Sequence, residues 1–459
     1  MATDSDGEIE LEYERDDKPP LPTSLLLGLQ HVAVMIVPAT AVAFIVAGAV
    51  GLSAGDTAYI VQMVLLFSGV ATIVQAYTVG PVGAKLPIVM GTSFTFVGAA
   101  SSIGASYGLA AVFGAILVTG FVVEGLVGWQ FKRIEPFFPP LVTGLVVVII
   151  GLYLVPVGMD YVAGGVGAEN YGSLTNLGLA SLVLGIAVLL NLFTTGVTRL
   201  LSVLVGIVVG YATATALGVV DFAPVFQASW FAVPQPGKFG FAFEPVPIIT
   251  FAFLFLVSAM ETVGDMSSIT AAEGRTPTHE EFRGGLFTDG LLSSLGSLAG
   301  TFPVTSFSQN AGIVNFTGVM SRHVVGVGGL ILALLGLSPK VGAVVTTIPS
   351  AVFGGAVLLM VGMVAASGAR LIFLHTQLDR RNMVIMAVSL GLGLGVATRP
   401  DALSGLPAAA ETFFGQPVIL TALTALVLNT FVPGEQSPLF DADPDETPAE
   451  AMGITSSDD

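Results

Sequence analysis

Glu261 follows an apolar run, FLFLVSAMETVGD over 253–265, where an ionisable side chain is expensive to keep. An ionised carboxylate only accepts hydrogen bonds. Glu261 therefore reads as an acceptor for the N–H groups of a ligand, as a proton carrier, or as a structural buried acid. Asp265 lies one turn further along the same helix face and is either a second acid of the site or a brace to a neighbouring helix. Asp289, in GGLFTDGLLSSLG, reads equally as a proton relay or as a buried hydrogen-bond brace. His31 stands beside Gln30 near the start of the first apolar run and is either a satisfied structural group or a ligand. Glu124 stands near Lys132 and Arg133, and local pairing with them is the expected use. Gln309 and Asn310 are the most specific pair, because a primary amide offers a donor and an acceptor on one planar face. That face suits a planar heterocycle displaying alternating N–H and C=O groups. Phe94, beside Ser93, and Phe307 are candidates to stack on such a ring.

The segment that must position these groups is TFPVTSFSQNAGIVNFTGVMSR, Thr301 to Arg322, a polar stretch bounded by apolar runs. A bilayer supplies no water to Thr305, Ser306, Ser308, Gln309, Asn310, Asn315 and Thr317, so such backbone belongs inside protein or beside a wet cavity. Its layout predicts a broken crossing: Pro303 removes a donor, Val304 to Ser308 suits extended chain, and Asn310 is placed to cap a half-helix running toward Arg322. An earlier stretch, PIVMGTSFTFVG from Pro87 to Gly98, shares the triplet Thr-Ser-Phe with PVTSFSQNAG from Pro303 to Gly312. FPPLVTGLVVVIIGL from Phe138 and IPSAVFGGAVLLMVG from Ile348 correspond in the same register. Two related halves follow, each of about seven crossings. An odd number inverts the second copy, and Thr92 to Phe94 then meets Thr305 to Phe307 at mid-depth.

The rest of the composition agrees with this reading. Hydrophobic residues make up 53% of the chain and charged ones 10%, with a mean hydropathy of +0.87. An all-α polytopic membrane protein is the expected class, with room for about fourteen spans of ~20 residues and for no sizeable soluble domain. The runs lie near 24–50, 57–79, 87–105, 108–130, 139–158, 176–196 and 200–219, then 246–269, 285–300, 309–321, 324–338, 342–366, 382–398 and 414–432. With both ends cytoplasmic, 12 of the 15 basic residues fall on the inner side and only Lys238, Lys340 and Arg399 outside. The longest external loop, Val220 to Pro245, carries Trp230 and reads as an interfacial cap. Half of the 32 acids crowd residues 1–22 and 434–459, which read as solvated disordered tails and carry most of the net charge of -17. Cysteine is absent and the four histidines are scattered, so no metal site or thiol chemistry is expected. No basic region precedes the first apolar run, so a removed signal peptide is not expected.

Gln30-His31, the ETVGD of Glu261 to Asp265, Thr288-Asp289-Gly290 and QNAGIVNFTGVMSR from Gln309 to Arg322 resemble the nucleobase-ascorbate transporter family, also called nucleobase:cation symporter family 2. The last run fits the family's signature of a polar residue, Asn, any residue, Gly, four more, then Thr, which here is Thr317. The resemblance covers about Leu25 to Val432. It implies two inverted repeats, with a core domain over 23–134 and 246–339, a gate domain over 135–245 and 340–433, and short strands in the third and tenth segments. By match to the motifs it implies Glu261 as main substrate ligand, Gln309 as second ligand and Asn310 as organiser, with Asp289 and His31 as polar support. Asp265 and Thr317 are grouped with that support. Gln309 together with Asp265 is the purine pattern, which favours xanthine or urate over uracil. Ser350, after Pro349, departs from the family in the gate half and leaves the substrate range open. The expected function is a secondary active symporter of the plasma membrane, without a cofactor, coupled to protons or alternatively to sodium. Its expected partners are a nucleobase, the lipid bilayer and a second copy in a homodimer, with no nucleic acid. An anion carrier of the same broad fold is the rival. No nucleophile with an activating base converges in the sequence, so an enzyme is not expected.

Overall fold

Inside hydrocarbon each backbone N–H and C=O must find its partner within the protein, which drives apolar runs into helices. The computed structural model describes residues 11–130 and 139–433. Residues 1–10, 434–459 and 131–138, which include Lys132 and Arg133, lie outside the described residues, and so does the pairing expected there. In chain order the first helices are α1 (Leu21–Ala49), α2 (Ala54–Tyr77), α3 (Val97–Tyr107), α4 (Leu109–Thr119) and α5 (Gly125–Trp129). Strand β1 (Met90–Thr92) and a 3-10 turn, Phe94–Phe96, precede α3, and a π-helical turn, Gly120–Glu124, joins α4 to α5. Next come α6 (Pro140–Tyr153), α7 (Val155–Val162), α8 (Leu174–Phe193), α9 (Gly196–Leu200), α10 (Ser202–Ala216) and α11 (Ala223–Gln227). The second half holds α12 (Pro245–Ala271), α13 (His279–Leu298), β2 (Val304–Ser306), α14 (Ser308–Thr317), α15 (Arg322–Gly336) and α16 (Pro339–Thr346). It ends with α17 (Ser350–His375), α18 (Arg380–Thr398), α19 (Ala408–Phe414) and α20 (Pro417–Phe431). By length and composition, 8 described helices can cross a membrane, or up to 10 if each of two bent pairs is one span. The bent pairs are α15 with α16, at 81°, and α19 with α20, at 80°. The protein is a multi-pass membrane protein.

The two strands are the only sheet among the described residues, and they come from opposite halves of the chain. They run antiparallel with Met90 opposite Ser306, Gly91 opposite Thr305 and Thr92 opposite Val304. The two Thr-Ser-Phe segments thus start on adjacent rungs and run apart, the Ser93 N–H donating to Pro303 O (3.1 Å) and the Phe307 N–H to Val89 O (2.9 Å). An isolated pair of strands leaves outer backbone groups unpaired, and side chains from flanking helices take them up. The Met90 N–H donates to Thr72 Oγ1 of α2 (2.9 Å) and the Val304 N–H to Ser293 Oγ of α13 (2.9 Å). The Ser293 hydroxyl in turn donates to the Val304 carbonyl (3.2 Å).

Packing sorts the helices into two groups. In one, α2 lies against α15 and α13 against α4 and the π turn; in the other, α17 lies against α6 and α8. A buried aromatic layer fills the first group, where Phe96 stacks on Phe251 (5.9 Å between centroids) and meets Phe255 at 4.8 Å. The loop over 220–245 crosses the end of α2 that carries Asp56 and Tyr59, with Lys238 paired to Asp56 at 2.9 Å.

Residues 11–20 differ from the solvated tail expected through residue 22. They lie at the other end of α2, hydrogen-bonded to the loop that leaves α14. The Glu12 N–H donates to Gly318 O (3.0 Å), the Met320 N–H to Tyr13 O (2.9 Å) and the Arg322 N–H to Arg15 O (3.0 Å). Arg15 reaches Glu281 at 3.0 Å, and Arg322 reaches Asp16 at 2.6 Å. Acid-rich composition reads as disorder, but the sequence does not display the remote Glu281 and Gly318 that give this stretch its partners. Arg15→Ala is expected to lower stability by under about 1 kcal/mol, because Arg15 is partly exposed and buried Glu281 keeps its pair with Arg275. Added salt shrinks the difference. Thermal melts of the two proteins in detergent at low and high ionic strength check it.

Candidate functional site

The site forms where both helix interruptions meet. Ser93, the extended residue after β1, caps the 3-10 turn Phe94–Phe96 by accepting the Thr95 N–H at 3.2 Å, and this holds the two hydroxyls beside each other. Both hydroxyls donate to Glu261 of α12: Ser93 Oγ to Oε2 at 3.0 Å and Thr95 Oγ1 to Oε1 at 2.6 Å. Glu261 is partly accessible while Thr262, its neighbour, is buried, so the carboxylate stands at the edge of the packed interior. One turn on, buried Asp265 accepts from Ser306 Oγ of β2 at 2.6 Å. The two acids of α12 are therefore bound to the two strand segments, one each.

Asp289 sits behind them on α13, fully buried. It accepts from Thr262 Oγ1, from Thr305 Oγ1 (3.3 Å) and from Gln75 Nε2 (3.1 Å). Gln75 also donates to Gly285 O (3.1 Å) and accepts the Ala84 N–H (3.0 Å). This network ties α2, α12, α13 and β2 together, and its polar groups are mutually satisfied, as burial in low dielectric demands.

Helix α14 starts from β2. Asn310 was expected to cap it; instead the helix begins at Ser308, Phe307 holds the cap position without a side-chain bond, and Asn310 falls inside the first turn. Its amide points to α1, with Nδ2 3.1 Å from both His31 Nδ1 and His31 O. A tertiary partner 279 residues away has won over the local cap. Gln309 is half-buried on the same turn, and among the described residues no hydrogen bond engages its side chain. Phe307 and Phe94 are both buried, at 6% and 8% exposure. The Phe307 ring fills the space a side chain at Gly91 would need: a Cβ there would lie 2.6 Å from Phe307 Cε2. Thr317 lies apart, at the far end of α14, where its hydroxyl donates to Ile313 O (2.9 Å) and accepts the Val319 N–H (3.3 Å).

The structure thus brings Glu261 and Ser93 into one hydrogen-bonded set and joins Asp265 to Asp289 in a second, through Ser306 and Thr262, with Asn310 and His31 paired separately. Sequence reasoning missed Thr95, Thr262, Gln75 and Tyr153. Thr95 was legible only through its Ser93 neighbour, a cap-forming residue whose hydroxyl takes the N–H two positions on. Gln75 had no local signal, because its partners lie 9, 210 and 214 residues away. Tyr153 of α6 accepts the Gly98 N–H (3.0 Å) and donates to Phe94 O (3.3 Å), so the second helix group touches the site through one hydroxyl. Among the described residues no group of three or more His, Cys, Asp or Glu is placed to hold a metal ion.

Comparison with known proteins gives the family. The Permease family matches residues 22–402. A xanthine permease of Bacillus subtilis is 40% identical over 88% of this chain and 93% of its own length. A uric acid permease of the same organism is 38% identical over 90% and 96%. A xanthine permease of Escherichia coli K12 is 35% identical over 93% and 94%. The fold resembles the transmembrane domain of a cyanobacterial bicarbonate transporter (TM-score 0.55, 15% identity, 90% of this chain and 98% of that one). It also resembles murine Solute Carrier 26 family member A9 in the inward-facing state (TM-score 0.64, 13% identity, 91% and 69%). At such identities these likenesses speak for the fold alone. Matched along most of its length by permeases at 35% identity and above, this chain is a transporter, not an enzyme, and belongs to the nucleobase-ascorbate transporter family.

Proposed function

We propose that the chain is a secondary active transporter of the plasma membrane that imports a purine nucleobase, xanthine or urate, coupled to protons. The observation that carries this reading is the Glu261 carboxylate, fixed by Ser93 and Thr95 at the edge of the packed interior. A purine presents N–H donors along one edge, and an acceptor-only group held by two hydroxyls is suited to receive them. Gln309, with no other hydrogen-bond partner among the described residues, supplies the second contact, and Phe94 and Phe307 flank the ring. The names of the relatives, xanthine and uric acid permeases, support the same substrate class.

Movement follows from the two helix groups. In this reading 23–134 with 246–339 forms a core that carries substrate, and 135–245 with 340–433 a gate against which it moves. The pairings α2 with α15, α4 with α13, β1 with β2 and α6 with α17 each take one element from either half, as two inverted repeats of about seven segments would. Tyr153 and Gln416 cross the boundary, the latter donating to Ser102 Oγ of α3 at 2.8 Å. Those contacts break and re-form as access alternates. The placement of basic residues supports cytoplasmic termini, and the family resemblance supports a homodimer.

Uptake of radiolabelled xanthine into vesicles, competed by urate and by uracil, with and without an imposed proton gradient, tests the proposal. Competition by urate and stimulation by the gradient are expected. Preferred competition by uracil would shift the substrate to a pyrimidine, a response to sodium alone would replace the coupling ion, and transport of bicarbonate or sulfate without nucleobase competition would overturn the reading. Thr95→Val is expected to raise the xanthine KM roughly tenfold, corresponding to about 1.5 kcal/mol for one hydrogen bond to a charged group. Initial rates across a xanthine series measure it.

A further inference from the structure

Glu124 is the one buried acid among the described residues whose two carboxyl oxygens have no hydrogen-bond partner. It is 0% exposed and closes the π-helical turn between α4 and α5. That turn is a built feature. The Phe121 N–H donates to Ser294 Oγ of α13 (2.9 Å), a side chain inserted into the helix ladder. Gly120 and Gly290 let the two backbones touch: a Cβ on Gly290 would stand 2.5 Å from Gly120 O and 3.1 Å from Glu124 Cβ. Glu124 is thereby seated against the residue next to Asp289. Ser258 of α12 faces the carboxyl, fully buried, and its hydroxyl likewise has no partner in hydrogen-bond geometry. Ser258 stands one turn before Glu261 on the same helix face.

The charged groups that act on Glu124 through space are two acids, Asp289 of α13 and Glu261 of α12, and no Lys or Arg is buried among the described residues. An ionised carboxylate in such a place has no donor beyond the Ser258 hydroxyl, at a cost of several kcal/mol. A merely structural position gains nothing from an acid, whereas a proton-exchanging one requires it. We propose that Glu124 is a second proton-binding site of the transport cycle, which exchanges its proton with Glu261 through the Ser258 hydroxyl. In the transfer the Glu124 O–H bond breaks as its proton joins Ser258 Oγ, and the proton that Ser258 already carried passes to a Glu261 oxygen. Ser258 ends as it began, and one negative charge has moved from Glu261 to Glu124. The inference rests on the proton-coupled reading given above.

The test uses the full chain in liposomes, as wild type, Glu124→Gln and Glu124→Met. Two rates are read for each: xanthine exchange without a gradient, and xanthine accumulation driven by an imposed proton gradient. Both variants are expected to retain exchange and lose accumulation, with a flattened pH profile. Wild-type accumulation indifferent to the proton gradient overturns proton coupling itself and this inference with it. Gradient-driven accumulation by the wild type and equally by both variants overturns the role of Glu124 alone. Should the Glu124 variants fail to fold, Ser258→Ala decides: loss of accumulation with retained exchange supports the relay, and wild-type accumulation overturns it.

Discussion

Glu261→Gln is expected to abolish concentrative uptake of xanthine while the protein folds and inserts normally. The substituted amide keeps the size of the side chain and one acceptor oxygen, so either Ser93 or Thr95 stays bonded. Its NH2 group then turns a donor toward the other hydroxyl or toward the ligand's own N–H. Losing a hydrogen bond to a charged group costs about 1.5–3 kcal/mol, a tenfold to hundredfold drop in affinity. The exchanged side chain also carries no proton. Uptake by vesicles and ligand-induced shifts of Tm in detergent measure the two effects separately. Undiminished concentrative uptake by this variant would remove Glu261 from the centre of the mechanism.

The second large effect is expected at Asp289, and it falls on stability first. Asp289→Ala removes the shared acceptor of Thr262, Thr305 and Gln75 inside a fully buried cluster. Each donor stranded in such a place costs about 1–3 kcal/mol. Thr262 and Thr305 already approach each other at 2.9 Å, and Gln75 retains Gly285 O, so part of the loss is recovered. A net destabilisation of about 3 kcal/mol follows, large against the marginal stability of a folded chain. Asp289→Asn keeps an acceptor and falls between. Melting curves of the purified variants, with transport measured on whatever folds, separate a brace from a relay: a variant of wild-type stability and no transport would assign Asp289 to proton movement alone.

The acids were legible because an ionisable group in an apolar helix has few reasons to exist, and the interruption after Pro303 was legible because polar backbone is intolerable beside lipid. Helix α14 shows where such reading stops. A local rule assigned Asn310 to a cap, and the amide went to His31, since an Asn side chain serves a remote partner as well as a near one. Gln75 was silent for the same reason: an uncharged amide in an apolar run announces nothing until Asp289 is placed beside it. The stretch 11–20 reversed its expected state because charge composition measures solvation and says nothing about a docking edge such as Gly318 to Arg322.

The pairing of β1 with β2 bears on how the protein is made. Residues 90–92 leave the ribosome more than two hundred positions before 304–306, and until the later strand arrives the backbone groups that face it lack the partners it supplies. The first half inserted alone is therefore an unfinished object, protected only by Thr72 and whatever holds nascent chains at the insertion machinery. The candidate site draws on both strands, so it too is complete only once the second half has been added.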